Sequence, residues 1–193
     1  VDKFSLKGYV YSKIRAINMR RKYKLVAAYQ SPGKILDIGQ GTGELMHYFS
    51  NKGWEAVGVE PSASARAFSQ KYHAHEVHDE SQLDAFEPAL FDVISLWHVL
   101  EHVPDLKGRM HQIKRLLKKD GILLIAVPML DSPDAHHYGK YWAGLDVPRH
   151  LYHFTKSSMN RLFLETGFLL EATSPMKFDA YYVSLLSEQY RKA

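Results

Sequence analysis

The stretch Ile35-Leu36-Asp37-Ile38-Gly39-Gln40-Gly41-Thr42-Gly43 is an apolar strand pattern that runs into a glycine-rich turn, with helical periodicity starting directly after it. Glycine has no Cβ and tolerates positive φ, so such a turn lets backbone amides approach a ligand closely at a helix start. The spacing is G-x-G-x-G, with Glu44 where a dinucleotide fingerprint carries its third glycine and Asp37 just ahead of the turn. A carboxylate there repels a diphosphate. It suits a ligand that carries ammonium and sulfonium charges, with hydrogen bonds relayed through the turn.

Outward from this turn, short runs rich in Val and Ile alternate with helix-period segments between residues 34 and 127, which predicts an α/β fold with a mostly parallel sheet and helices on both faces. Strands are expected at 34–38, 55–59, 74–78, 91–96 and 121–127, and a further one near 168–173. Helices are expected at 43–52 with Gly53 as C-cap, at 62–72 opened by Ser62, at 105–119, and from the N-cap Thr155 to Gly167. The Ala180–Arg191 stretch also reads as helix. No repeat or linker divides the chain, so a single domain spanning 1–193 is expected. Its parts are a basic helical cap (1–30), a core (31–127), a lid rich in Asp, Pro, Gly, His and Trp (128–153), and a C-terminal helix, strand and helix (154–193).

Polar clusters fall where predicted strands end, the carboxyl edge at which open α/β sheets bind ligands. Glu60 closes the second strand, 17 positions past Gly43, where a carboxylate can accept hydrogen bonds from both hydroxyls of a ribose. Asp79, Glu80, Ser81 and Gln82 follow the third, where an adenine edge would be read. Leu96-Trp97-His98-Val99-Leu100-Glu101-His102 follows the fourth. His98, Glu101 and His102 match H-x-x-E-H, an inverted zinc-protease motif. A zinc-dependent hydrolase built on these three is therefore an alternative. Against it, the motif follows a buried-strand pattern and has about one turn before Pro104, whereas the protease needs a long helix, so no metal is expected. Tyr141 and Trp142 are candidates for an apolar acceptor pocket. Arg149, His150 and His153 read either as acceptor contacts or as a packed turn before the last helix.

The chain has 25 Lys and Arg against 21 Asp and Glu, with a sequence pI near 9.1. Eight of the basic side chains lie in residues 1–24 beside the single acid Asp2, so the remainder is mildly acidic. That distribution argues against a nucleic-acid-binding surface. With no cysteine, disulfides and thiolate chemistry are excluded, and a cytoplasmic setting is expected. No apolar run is long enough to span a bilayer.

Taken together, LDIGQGTG, VGVEPS, FDVISLWHVLEHVPD and LKKDGILLIAVP resemble the consecutive motifs of class I S-adenosylmethionine-dependent methyltransferases. The likeness is greatest to the small-molecule branch that includes ubiquinone-biosynthesis O-methyltransferases. It covers residues 30–130 strongly, and the W-x-x-L-D-V-P-R-H-L-Y-H-F-T run at 142–155 resembles a block in a subset of that branch. The resemblance implies a Rossmann-like, doubly wound fold and methyl transfer from S-adenosylmethionine to a small-molecule acceptor, with a hydroxyl as the acceptor atom and S-adenosylhomocysteine as the product. It puts Asp37, Gly39, Gly41 and Gly43, with Gln40 between the glycines, around the methionine part of the cofactor. Glu60 falls on the ribose, and Pro61 and Ser62 beside the adenine, with Ser81 the candidate adenine contact from the third strand. Leu96 and Trp97 would bring a backbone carbonyl to the amino group, and His98 and His102 lie on the acceptor side. If the acceptor is a hydroxyl, His102 or His150 is the expected base, with His98 and His153 as lesser candidates. The family sheet usually ends in a seventh strand, so that strand is expected outside this sequence or an edge of the sheet is left uncovered. A non-catalytic binding module and an NAD-type oxidoreductase remain the competing classes, and a homodimer stays open.

Overall fold

The computed structural model describes residues 6–73 and 75–192, with side-chain surroundings from residue 13 onward. Lys3 of the basic leader and the first five residues of the predicted cap lie outside the described residues. Contacts divide the chain into two compact units, one comprising Val1–Ser95 with Leu117–Leu123 and the other Leu96–Leu116 with Leu124–Ala193.

The first unit is built on a five-stranded sheet in the order β3-β2-β1-β4-β5. The strands are β1 (Lys34–Ile38), β2 (Glu55–Val59), β3 (Glu76–His78), β4 (Phe91–Trp97) and β5 (Leu117–Ala126). β1 pairs in parallel with β2, Ile35 opposite Ala56 and Ile38 opposite Val59, and β2 pairs in parallel with β3. The chain winds outward from β1 to β3 and then returns to β4 on the other side of β1. The order thus reverses beside β1, the switch point at which doubly wound sheets open a ligand crevice. Ile35, Leu36, Ile38, Val57, Val59, Val93, Ile94 and Leu96 are buried, which is why these strands read as continuous apolar runs.

Helices α1 (Leu6–Ala27), α2 (Glu44–Ser50) and α3 (Ala63–Tyr72) complete this unit. Tyr23 of α1 packs on Tyr48 and Phe49 of α2 with ring centroids 5.7 and 5.3 Å apart, and Arg15 pairs with Glu44. The C-terminal half of α1 is thus seated on α2 by aromatic contacts. Ser62 caps α3 by accepting from the Ala65 amide.

The second unit carries α4 (Leu106–Leu116), α5 (Pro133–Tyr138), α6 (Lys156–Glu165) and α7 (Lys177–Lys192). Thr155 opens α6 in a capping box with Ser158, as the sequence predicts. The 128–153 segment holds α5 and two short 3-10 turns, Gly139–Tyr141 and Ala143–Leu145.

Three expectations are corrected. No strand forms at 168–173: Leu169 is 79% exposed, and an apolar run with no neighbouring strand has no ladder to satisfy its backbone. β5 begins at Leu117, and the lysines expected to close α4 belong to it. Lys118 binds Asp92 of β4 at 2.8 Å, and Gly121 sits where a Cβ would meet the Asp92 carbonyl at 3.0 Å. The last helix starts at Lys177, three residues before the predicted Ala180. Among the described residues β3 and β5 are the edges of the sheet, and no sixth or seventh strand is present.

Candidate functional site

In the first unit the glycine turn leaves the carboxyl end of β1. Gly39, Gly41 and Gly43 have φ of 76°, 60° and 82°, the left-handed region that only glycine enters without strain. At Gly43 a Cβ would also lie 2.2 Å from Ser69 Oγ and 2.7 Å from His75 Cε1, so the turn closes directly on α3 and on the residue leading into β3. Glu60, buried at the end of β2, clamps the turn: its Oε2 accepts from the Gly41 amide at 2.9 Å and its Oε1 from the Ser62 amide at 2.9 Å. Each oxygen keeps a second lone pair for a ligand hydroxyl.

Asp37 lies beneath the turn, 3% exposed, and accepts a 2.6 Å hydrogen bond from the Ser95 hydroxyl. Burial pushes its pKa from 3.8 to about 7. The Ser95 hydroxyl and the Lys22 cation pull the other way, and the Glu60 charge adds to the rise.

Two residues assigned to the cofactor are turned elsewhere. Gln40 is buried with its carboxamide against Gly58, its Nε2 donating to Ser69 Oγ at 3.3 Å and its Oε1 lying 2.8 Å from His75 Nε2. Its long side chain props the turn from behind. Ser81 donates its hydroxyl to Asp79 Oδ1 at 2.8 Å, because Asp79 caps the following 3-10 turn. Pro61 contributes its carbonyl to Arg66 at 2.8 Å, and Arg66 also pairs with Asp79 at 2.7 Å. Behind the turn, His47, His73 and His75 gather with ring centroids 4.8 and 6.1 Å apart. Burial and the neighbouring histidines push His75 down to about 4.

The second unit begins with Leu96 and Trp97 at the end of β4 and contains the candidate histidines 98, 102, 150 and 153. His98 has φ of 59°, rare for a residue with a Cβ, and its amide donates to the Ala126 carbonyl at 2.9 Å. Its Nε2 lies 3.3 Å from Asp179 of α7 and its Nδ1 3.7 Å from Glu101. Burial disfavours its cation, but the two carboxylates outweigh burial and raise it to about 9. An imidazolium held this way has no lone pair for an acceptor proton, so the expectation of His98 as a lesser base is corrected.

His102 Nδ1 lies 2.9 Å from the Arg149 carbonyl and His150 Nδ1 2.9 Å from the Gly144 carbonyl. A carbonyl only accepts, so Nδ1 carries a hydrogen in both rings, and only Nε2 is left to take up a proton. The two rings meet edge to face at 4.7 Å. Between His98 and His150 lies Glu101, 1% exposed, with neither carboxylate oxygen hydrogen-bonded among the described residues. The amides of Leu151 and Tyr152 donate to the Glu101 carbonyl at 2.9 and 3.4 Å, pinning the His150 segment to the turn that carries Glu101 and His102.

Other assigned residues have partners within their own segment. Trp142 is 5% exposed and lies over Gly144, where a Cβ would sit 2.4 Å from the indole. Arg149 binds its own turn through Asp146 Oδ1 at 2.6 and 3.1 Å, and His153 Nε2 lies 2.7 Å from the Leu145 carbonyl. Tyr141, 38% exposed, is flanked by the Lys140 ammonium at 5.0 Å from its ring. Ser95 and Asp179 escaped the reading of the sequence. Ser95 has a signal, a lone hydroxyl in a buried apolar strand, whereas Asp179 is 81 positions from His98 and has none.

A switch-point glycine turn with an acidic residue beneath it and a clamped carboxylate at the end of the next strand defines an α/β fold of the doubly wound, ligand-binding class. The chain belongs to the methyltransferase domain family, whose model matches residues 11–173. It is 32% identical over 99 residues to a ubiquinone biosynthesis O-methyltransferase of Rhodopseudomonas palustris (strain BisB5), covering 48% of this chain and 39% of that protein. A ubiquinone biosynthesis O-methyltransferase of Glaesserella parasuis is 31% identical over 104 residues, covering 48% of this chain and 44% of that one. The matches thus span about two-fifths of the length of these curated relatives. Among solved structures, an S-adenosylmethionine-dependent methyltransferase from Archaeoglobus fulgidus superposes with a TM-score of 0.66 at 16% identity, covering 97% of this chain and 92% of that one. Phosphoethanolamine N-methyltransferase 2 of Haemonchus contortus, in complex with S-adenosyl-L-methionine, gives 0.66 at 19% identity over 89% of this chain and 41% of that one. These likenesses confirm the Rossmann-like α/β fold. No described helix is long and apolar enough to cross a membrane.

Proposed function

We propose that this chain transfers the methyl group of S-adenosylmethionine to a hydroxyl oxygen of a small-molecule acceptor, releasing S-adenosylhomocysteine. The observation that carries the reading is the glycine turn held by Glu60 through the Gly41 and Ser62 amides, with Asp37 buried beneath it. The remaining lone pairs of Glu60 suit the two ribose hydroxyls. Asp37 supplies negative charge for the ammonium and sulfonium of the donor, and with Glu44 in the first turn of α2 it disfavours the diphosphate of a dinucleotide.

Methyl transfer from a sulfonium is an in-line displacement: the bond from carbon to the acceptor oxygen forms as the bond to sulfur breaks, and the charge on sulfur is dispersed. Catalysis is then mainly a matter of holding the three atoms in line. The hydroxyl proton must leave, and the Nε2 lone pairs of His102 and His150 are suited to receive it. The ubiquinone-type relatives methylate oxygen by name, which supports the hydroxyl acceptor.

Calorimetry with S-adenosylhomocysteine and with NAD tests the cofactor. Saturable binding of the first alone is expected, and preference for NAD overturns the reading. Turnover of a labelled methyl donor against a panel of small hydroxylated metabolites tests the reaction, and binding without any transfer would make the chain a binding module.

A further inference from the structure

Behind the glycine turn stands a stack of three imidazoles that the methyl-transfer chemistry leaves unused. His75, which leads into β3, places Nε2 2.8 Å from Gln40 Oε1 and 3.2 Å from Ser69 Oγ. A carboxamide oxygen only accepts, so Nε2 carries a hydrogen. Gln40 passes the contact on: its Nε2 donates to Ser69 Oγ at 3.3 Å, and its carboxamide fills the space that a Cβ at Gly58 of β2 would need. The same imidazole occupies the room beside Gly43, where a Cβ would come 2.7 Å from Cε1. One ring thus holds the turn at two places, by a hydrogen bond at residue 40 and by packing at residue 43.

The ring keeps that place only while the stack is uncharged. His73 lies between His75 and His47, with ring centroids 6.1 and 4.8 Å away. Nδ1 of His75 and both nitrogens of His73 are buried with no hydrogen-bond partner among the described residues, as is Nδ1 of His47, whose Nε2 accepts from Asn51 at 3.1 Å. A second proton on His75 or His73 would therefore sit on a buried nitrogen without an acceptor. Nearby carboxylates are already engaged. Glu44 of α2 is bound to Arg15 of α1 and accepts from Thr42, and Glu76 of β3 lies 2.5 Å from His78. From α3 comes a further cation, Lys71, over the Tyr72 ring. Burial and the two other histidines push His75 down from 6.5 to about 4, and burial, His47 and Arg15 lower His73.

We propose that His75 is a positioning residue for donor binding: its neutral ring fixes Gln40 and Gly43, and charging the stack spreads the rings and releases the turn, so that donor affinity falls in acid. This rests on the reading of the turn as the S-adenosylmethionine site. Once released, the imidazole titrates at its ordinary 6.5, so the released state takes up the proton first and gains on the closed one as pH falls from 6.5 towards 4. From pH 7.5 to 5 the gain is about thirtyfold for His75 alone.

The test measures the affinity of the whole chain for S-adenosylhomocysteine by calorimetry at pH 7.5, 6 and 5, in the wild type, His75→Gln, His75→Leu and His111→Ala. Gln keeps an N–H for Gln40 and does not titrate, whereas Leu leaves the buried Gln40 Oε1 without its donor. At pH 7.5 His75→Leu should bind about tenfold more weakly than the wild type, and His75→Gln should recover most of that loss. Between pH 7.5 and 5 the wild type should lose at least about threefold more affinity than His75→Gln. Asp37 titrates over the same range in both proteins, and its contribution cancels in the ratio. His111→Ala, exposed on α4, should keep the wild-type profile. Circular dichroism at each pH checks the fold. In the wild type, where no variant has to fold, the His75 Cε1 proton resonance should titrate at lower pH with S-adenosylhomocysteine bound than without it. Equal pH dependence in the wild type and His75→Gln overturns the proposal, as does a His75 titration that S-adenosylhomocysteine leaves unmoved. Binding with equal slopes removes the positioning role alone, whereas no binding at any pH overturns the donor-site reading together with it.

Discussion

Replacing Asp37 by Asn should change the pH dependence of stability in a calculable way. The native carboxyl titrates at about 7 because it is buried, against an ordinary value of 3.8. Between those values the folded chain keeps a proton that the unfolded chain has lost, so stability falls as pH rises and the loss is complete just above 7. Over the whole window the shift opposes folding by about 4 kcal/mol, and between pH 5 and 8 by about 2.5 kcal/mol. Asn has the same shape, still accepts from the Ser95 hydroxyl and does not titrate. Urea unfolding of both proteins at pH 5, 6, 7 and 8 isolates this group, because titrations common to both cancel in the difference. The wild type should lose about 2.5 kcal/mol relative to the variant across that range. A bound donor with ammonium and sulfonium charges favours the ionised carboxyl, so its binding near pH 6 should release protons in the wild type and fewer in the variant. Calorimetry in buffers of different ionisation enthalpy reads that release. Parallel stability profiles, with no change in proton release, would refute the assignment of Asp37 as a buried acid with a raised pKa beneath the turn.

Further outcomes follow from single contacts. Ser95→Ala removes the hydroxyl that donates to Asp37 and should cost about 1–3 kcal/mol in urea unfolding, more at pH 8 than at pH 5, since the bond favours the ionised carboxylate. Gly43→Ala meets Ser69 and His75 in addition to its positive φ, whereas Gly41→Ala has open space and only the backbone cost of about 1–2 kcal/mol. Melting temperature and S-adenosylhomocysteine affinity should therefore fall further for the first than for the second, and equal losses would contradict the packing described. Trp142→Ala should destabilise by about 3–5 kcal/mol as a buried aromatic, while Tyr141→Ala, largely outside the core, should stay within about 1 kcal/mol.

The elements of the cofactor half were legible because their causes are local. Alternating apolar runs and helical stripes specify β1, β2 and β4, positive φ requires the glycines at 39, 41 and 43, and Ser62 and Thr155 announce helix starts by their hydroxyls. The 168–173 stretch misled for the same reason: an apolar run marks a strand only if a neighbour completes its ladder, and pairing is not a local property. Gln40 misled because its neighbours in sequence are the glycines of the turn, while its own contacts, Ser69 and His75, come from α3 and the lead into β3.

What the amino-acid order determined by itself was the α/β class, the switch-point turn and the acidic residues around it, since each depends on propensity and spacing within about twenty residues. Only the tertiary structure decided the protonation and partnership of the polar groups: Asp37 keeps its proton up to about 7 because the strands bury it, His98 is a cation because α7 brings Asp179 to it, and Glu101 faces His150 because the Leu151 and Tyr152 amides bind its carbonyl. Charge and proton affinity follow burial and through-space neighbours, and those exist only once distant segments have packed.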